Sequence, residues 1–282
     1  MTKKLFFKTI FLTFLVGTLN LISCSKSGRD NDTELQSSQD FTNAQFMFGD
    51  LFNQMDIVSS ALADVNRPIH PSNNTASTCA TVTVNPALPN PSYPKTMTLN
   101  FGTTDCTGPD GVKRRGKLII VFSNKYRTTG TVITINTNNY YVNDYNVQGT
   151  ETLTNMGLNS SGNPYYTENI PNGIITSPSS GIINWNAQCT REWTTGITTP
   201  TDITDDSYLL RGTITGRTTT GNTFSASILN PLQLVNACNY IESGTVQMTP
   251  TNLSMRSIDY GNGTCDNNAT VTINGVNYTI SF

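Results

Sequence analysis

Six cysteines, a single histidine and nineteen carboxylates are the side chains through which this chain of 282 residues could do chemistry. The histidine, His70, sits in the proline-flanked run Arg67-Pro68-Ile69-His70-Pro71. Ser-His-Asp and Cys-His mechanisms therefore lack a well-placed base. A glycosidase needs only two carboxyl groups whose surroundings push their pKa values apart. Asp144, Glu151, Glu168, Glu192, Asp202, Asp205, Asp206 and Asp259 are the candidates, and most stand beside turns, where aspartate satisfies backbone amides. The run Asp202-Ile203-Thr204-Asp205-Asp206 offers oxygens suited to Ca²⁺ but lacks the glycine and closing glutamate of an EF-hand loop. It reads as a turn, and neither a metal nor another cofactor is expected. Aromatic residues are a better sign of binding: Tyr140, Tyr165, Trp185 and Trp193 fall in neighbouring hairpins, where rings on a sheet face could stack on sugars or anchor a protein. Strand alternation sends about half of such rings into a core.

Cys24 stands apart near the amino terminus, and the other five cysteines are spread through the chain. Cys79 and Cys106 are separated by the same interval as Cys238 and Cys265, so segments 79–123 and 238–282 align without a gap. Asn100-Phe101-Gly102 falls on Asp259-Tyr260-Gly261, Pro91 on Pro250, Val112 on Val271 and Gly116 on Gly275. This is the pattern of an internal duplication, and its symmetry predicts disulfides Cys79–Cys106 and Cys238–Cys265. Cys189 is left as a free thiol with no base to activate it. Zinc would require close Cys-x-x-Cys spacing or histidines, and the chain has no such spacing and His70 alone. A weaker repeat relates Asp144–Thr150 to Ser207–Thr213, and Gly162-Asn163 to Gly221-Asn222.

The elements that must position these residues are mainly strands. Threonine and asparagine are abundant while good helix formers are scarce. One helix is expected over 41–66, where Phe48, Leu51, Phe52, Met55, Val58 and Leu62 recur at steps of three and four. It would pack across a sheet face or serve as a stalk. After a linker over 67–78, strand patterns follow one another to the end of the β domain, 79–282. Turns are expected at Asn138-Asn139, Asn172-Gly173 and Asn274-Gly275. The fold class is mainly β: an antiparallel meander of repeated hairpins, as elongated sheet, sandwich or barrel, with one N-terminal amphipathic helix.

Lys3, Lys4 and Lys8 precede a short apolar run, a charged and then hydrophobic region of signal-peptide length over 1–23. It is interrupted by Thr18 and Asn20, too soon for a transmembrane helix. Leu21-Ile22-Ser23-Cys24 resembles the lipobox of bacterial lipoproteins. That resemblance implies removal of the leader and diacylation of Cys24 with palmitate-type chains, each buried methylene contributing roughly 0.8 kcal/mol to anchoring. Assigning Cys24 to lipid leaves five other cysteines, an odd number. Residues 24–40 have the polar composition of a disordered tether. Ser25, in place of an aspartate, favours the outer membrane, and Asp30, Asp32 and Glu34 resemble an export signal for surface lipoproteins.

Charged residues are 13% of the chain and the net charge is −2, which gives no case for nucleic acid. Lys113-Arg114-Arg115 with Lys117 reads as a solvated hairpin. The lipobox and the low-charge, Thr/Asn-rich strands together resemble uncharacterised β-rich lipoproteins of Bacteroidota-type bacteria. The resemblance implies an outer-membrane lipoprotein, periplasmic or surface-exposed, anchored through Cys24. From the residues, the expected role is non-enzymatic, a binding, adhesive or scaffold β domain whose partner is a glycan or envelope protein. A carbohydrate-active enzyme with paired carboxylates is the alternative.

Overall fold

Strand alternation and tight turns build almost everything that follows the helix. The computed structural model describes residues 32–59, 80–179, 181–199 and 202–282. Helix α1 (Gln36–Ser59) comes first. The strands are β1 (Thr81–Asn85), β2 (Lys95–Thr107), β3 (Lys113–Phe122), β4 (Val132–Val142), β5 (Tyr145–Gln148), β6 (Thr150–Leu158) and β7 (Pro164–Thr176). There follow β8 (Ile182–Thr195), β9 (Ser207–Arg217), β10 (Thr223–Val235), β11 (Ile241–Pro250), β12 (Arg256–Asn262), β13 (Asn268–Ile273) and β14 (Val276–Ser281).

All fourteen strands form one antiparallel sheet in nearly sequential order, with β5 and β6 both bridging β4 to β7. Among the described residues β1 and β14 are not hydrogen-bonded to each other, so the sheet has two edges. At about 4.8 Å per strand it would be on the order of 60 Å wide if flat. Yet β3, β8 and β10 all reach the same helix, through Arg114, Trp185 and Phe224, and β12 reaches the residues just before it through Arg256. A helix is only about 10–12 Å across, so the sheet curls around α1. The expected meander with its N-terminal helix is present, and of the forms left open by the sequence it is an open sheet, here curled on that helix.

The helix begins five residues earlier than expected. Residues 32–35 belong to the folded body, because the Glu34 carboxylate accepts the Ser37 N–H at 2.8 Å and Asp32 accepts the Glu34 N–H at 3.0 Å, capping the first turn. Its expected polar side is buried as well: Asp40, Gln45, Asp50, Gln54 and Asp56 are within the core. Residues 60–66 and the linker 67–78, His70 included, lie outside the described residues.

Two expected turns are bulges inside strands. Asn172-Gly173 lies in β7, where register shifts between Ile170 and Gly173. The reason is the helix: a Cβ on Gly173 would lie 2.4 Å from Cζ of Phe48. Asn139 lies in β4 with φ 47° opposite a shift between Arg115 and Lys117. The turn there is Asn143-Asp144, with φ of 47° and 69°, since both residue types tolerate the left-handed region. Asn274-Gly275 is a turn as expected, joining β13 to β14.

The bridge Cys238–Cys265 is present. Cys106 is disulfide-bonded, and Cys79 lies outside the described residues. Asn100-Phe101-Gly102 and Asp259-Tyr260-Gly261 share one local geometry. In each, the first side chain accepts the glycine N–H, at 3.0 and 2.9 Å, and the glycine φ is 86° or 90°. Beyond that step the copies diverge: residues 113–122 are the single strand β3, whereas 272–281 contain the turn between β13 and β14. The two copies thus share the aromatic-glycine step and diverge after it, β2 running on through Cys106 while β12 ends before Cys265.

Candidate functional site

In β8 every second residue points inward: Ile183, Trp185, Ala187, Cys189, Arg191 and Trp193 are buried. The same alternation places Arg114 inside from β3 and Arg256 from β12. Each of these three buried arginines meets carboxylates, Arg114 that of Asp50 on the helix, Arg191 that of Glu168 on β7 and Arg256 those of Asp32 and Glu34 just before the helix. Arg114 Nε lies 3.1 Å from both carboxylate oxygens of Asp50, and Asp110 is bound by its Nη atoms. Tyr140 Oη donates to Asp50 at 2.6 Å. Burial opposes the charge on Arg114, but Asp50 and Asp110 outweigh it and hold its pKa above the ordinary value. The expected solvated basic hairpin is therefore split by strand alternation, with Arg114 inside and Arg115 outside, bonded to Asp105 and Asp144 at 2.6 and 2.7 Å.

Farther along the helix, Asp56 accepts Tyr126 Oη at 2.8 Å and Tyr208 Oη at 3.1 Å. Burial, then the Asp56 charge, raises both phenols far above their ordinary pKa, so they stay protonated and donate to Asp56. At the other end Arg256 Nη2 binds Glu34 at 2.9 Å and Asp32 at 3.2 Å. These are two of the acids that resemble an export signal; here they tie the start of the helix to β12.

The candidate carboxylate pair is Glu151 with Glu168. Glu168 is joined to Arg191 at 2.8 Å, while neither oxygen of Glu151 has a hydrogen-bond partner. Burial, and then the Glu168 charge, pushes Glu151 well above the carboxylate range against the opposing pull of Arg191, leaving it a neutral acid. Both are buried, at 0 and 5% exposure. A glycosidic bond could not come between them, so paired-carboxylate chemistry finds no support at this pair. The remaining candidates do structural work. Glu192 accepts the Asn159 and Asn163 side-chain amides at 2.8 and 2.9 Å. Asp202 binds the Thr204 N–H and hydroxyl, and Asp205 the Thr199 hydroxyl.

Three of the four candidate binding aromatics are core residues. Tyr140, Trp185 and Trp193 are at most 2% exposed, because each lies in the inward phase of its strand. Trp185 packs against Phe41 and Phe48 of the helix with ring centroids 5.1 and 6.2 Å apart. Tyr165 faces outward and is half-buried. Cys189 is the buried free thiol, its pKa raised by burial first and Glu168 second.

The accessible site lies elsewhere. A single stripe of α1, Gln36, Gln39, Asn43, Phe46, Gly49 and Asn53, escapes full burial. Above it runs a groove of about 25 Å at 1.5 Å per residue. Its first part is a recess of about 610 Å³, where Gln36, Gln39 and Asn43 face Tyr145, Ser177 and Thr219. Its second, of about 390 Å³, adds Phe46, Asn143, Asn239 and Tyr240. A narrower pit of about 60 Å³ beneath it reaches Gln54, Arg114 and Arg191, with room for a few water molecules. Tyr240 stacks on Phe46 at 6.4 Å and meets Phe282 edge-on at 5.9 Å, so half-buried rings form the wall. Sequence reasoning missed Phe46, Tyr145, Tyr240 and Phe282. Only the position of the helix within the sheet brings them together.

Compared with protein-family models, curated proteins and solved structures, the chain matches none. Its class is therefore defined by architecture: a fourteen-stranded antiparallel meander curled around a helix, with one groove where the sheet leaves that helix uncovered.

Proposed function

We propose that the protein is a lipid-anchored envelope protein, acylated at Cys24 in the outer membrane, that binds a neutral glycan in the groove along α1. The observation that carries this reading is the chemistry of the uncovered helix stripe and its walls. Amides and hydroxyls (Gln39, Asn43, Asn143, Ser177, Thr219) alternate with half-buried rings (Phe46, Tyr145, Tyr240). The acids nearby are already engaged, Asp110 in an ion pair with Arg114 and Asp40 by hydrogen bonds from Thr219 and Gln36. Rings for stacking, and amides and hydroxyls for recognising sugar hydroxyls, suit a neutral sugar. The lipobox-like Leu21-Ile22-Ser23-Cys24 supports the anchor, and no described helix is long and apolar enough to cross a membrane.

Two measurements test the reading. In a Gram-negative host fed labelled palmitate, the full chain should take up label and sediment with membranes, and Cys24→Ala should do neither. The soluble form beginning at Ser25 should bind members of a neutral glycan array, and Asn43→Ala and Tyr145→Ala should weaken that binding about tenfold or more. Ile182→Ala, on an exposed outer position, should leave it unchanged. Binding indifferent to Asn43 and Tyr145 would remove the groove from the account.

A further inference from the structure

A second recess, apart from the groove, lies where β6, β7 and the end of β8 meet the connection between β3 and β4. Arg127, Asn155, Leu158, Pro164, Tyr166 and Trp193 line a volume of about 100 Å³. The Arg127 guanidinium lies over the Trp193 ring, 4.0 Å from its centroid. Two buried donors on this wall, Arg127 Nε and Trp193 Nε1, have no hydrogen-bond partner among the described residues. A buried donor left unmade costs about 1–3 kcal/mol. Two in one pocket mark a place built for an acceptor.

The charge argues the same way. Arg114, Arg191 and Arg256 each have a carboxylate, whereas Arg127 takes part in none of the ion pairs formed among the described residues. The nearby acid Asp56 is already supplied by the Tyr126 and Tyr208 hydroxyls. The rim is apolar: Pro164 lines it, and Leu158 is 67% exposed beside it.

We propose that this recess binds a carboxylate bearing an apolar substituent. The carboxylate accepts from Arg127 and from the Trp193 indole, and the apolar part covers Leu158 and Pro164. Charge-assisted bonds from guanidinium to carboxylate are roughly twice as strong as neutral ones. The volume suits such a head group and falls below the ~300 Å³ of pockets that enclose drug-sized ligands. The carboxylate could belong to a free alkyl acid or to a peptide chain end, and both are carried as arms of the test.

The chain has two tryptophans, so the soluble protein has two indole N–H signals, and Trp193→Phe assigns them. Hexanoate and a tripeptide ending in leucine would each be titrated, with hexanamide, the amidated tripeptide and inorganic phosphate alongside. A saturable shift of the Trp193 indole N–H with either carboxylate, and with none of the three controls, is expected; the tighter arm identifies the source. Arg127→Gln should weaken that binding about tenfold or more. No saturable shift with either carboxylate, an equal response to the amides or phosphate, or undiminished binding by Arg127→Gln would each overturn the proposal. The wild-type titration decides the matter even where a variant fails to fold.

Discussion

Asp50 on the central helix receives the Nε of Arg114 from β3 at 3.1 Å on both carboxylate oxygens, with the two side chains only 4 and 2% exposed. The pair fixes the helix within the curled sheet in rotation and along its axis. A buried pair contributes little net stability when formed but leaves an uncompensated charge when halved.

Arg114→Ala should therefore lower stability by about 3–5 kcal/mol. Guanidinium unfolding should show the midpoint falling with little change in slope. Replacing the pair together, Asp50→Leu with Arg114→Met, should recover most of the loss. A double variant as unstable as the single one would show that packing, and not the orphaned Asp50 charge, sets the cost.

Glu151 gives stability a pH dependence of known sign. Its native pKa is raised above the ordinary value of 4.5, so the native state holds a proton that the unfolded state releases. Its contribution is complete below about 4.5 and is lost as pH rises from there toward the native value. Glu151→Gln keeps the shape of the neutral acid and should flatten this part of the profile, stabilising the protein at pH 7 relative to pH 4. Unfolding midpoints of wild type and variant across that range would show parallel curves if Glu151 were ionised in the fold.

The thiols should separate cleanly. Burial raises the Cys189 thiol, so iodoacetamide should leave it unmodified in the native protein and label it once unfolded. Removing the Cys238–Cys265 bridge by a double serine substitution reopens a loop of 27 residues, for a loss of about 3–4 kcal/mol in the chain-entropy model. Peptide mapping without reductant and thermal melting would check the two statements.

Gly173→Ala should cost about 1–3 kcal/mol through overpacking, since the added methyl meets the Phe48 ring. Phe48→Leu should be less harmful in that background than in the wild type. Two additive penalties in a double-mutant cycle would dissociate the glycine from the helix contact.

The sequence by itself determined the strand-rich class, one helix and some of the turns. The local turn chemistry of Asn274-Gly275 was legible, and the alternation that sets Trp185, Cys189, Arg191 and Trp193 on one face of β8 is equally local, but its extent past Asn186 was not. The equal cysteine spacing was enough to predict Cys238–Cys265. Which face was the inside of a curled sheet, and that a helix would fill it, depended on contacts more than sixty residues apart, such as Asp50 with Arg114 and Asp56 with Tyr208. That is why Asn172-Gly173 looked like a hairpin, when its glycine makes room for Phe48. It is also why Asp32 and Glu34 looked like part of a free tether, when they close on Arg256. The groove belongs wholly to the tertiary structure: it exists only because the sheet covers every side of the helix but one.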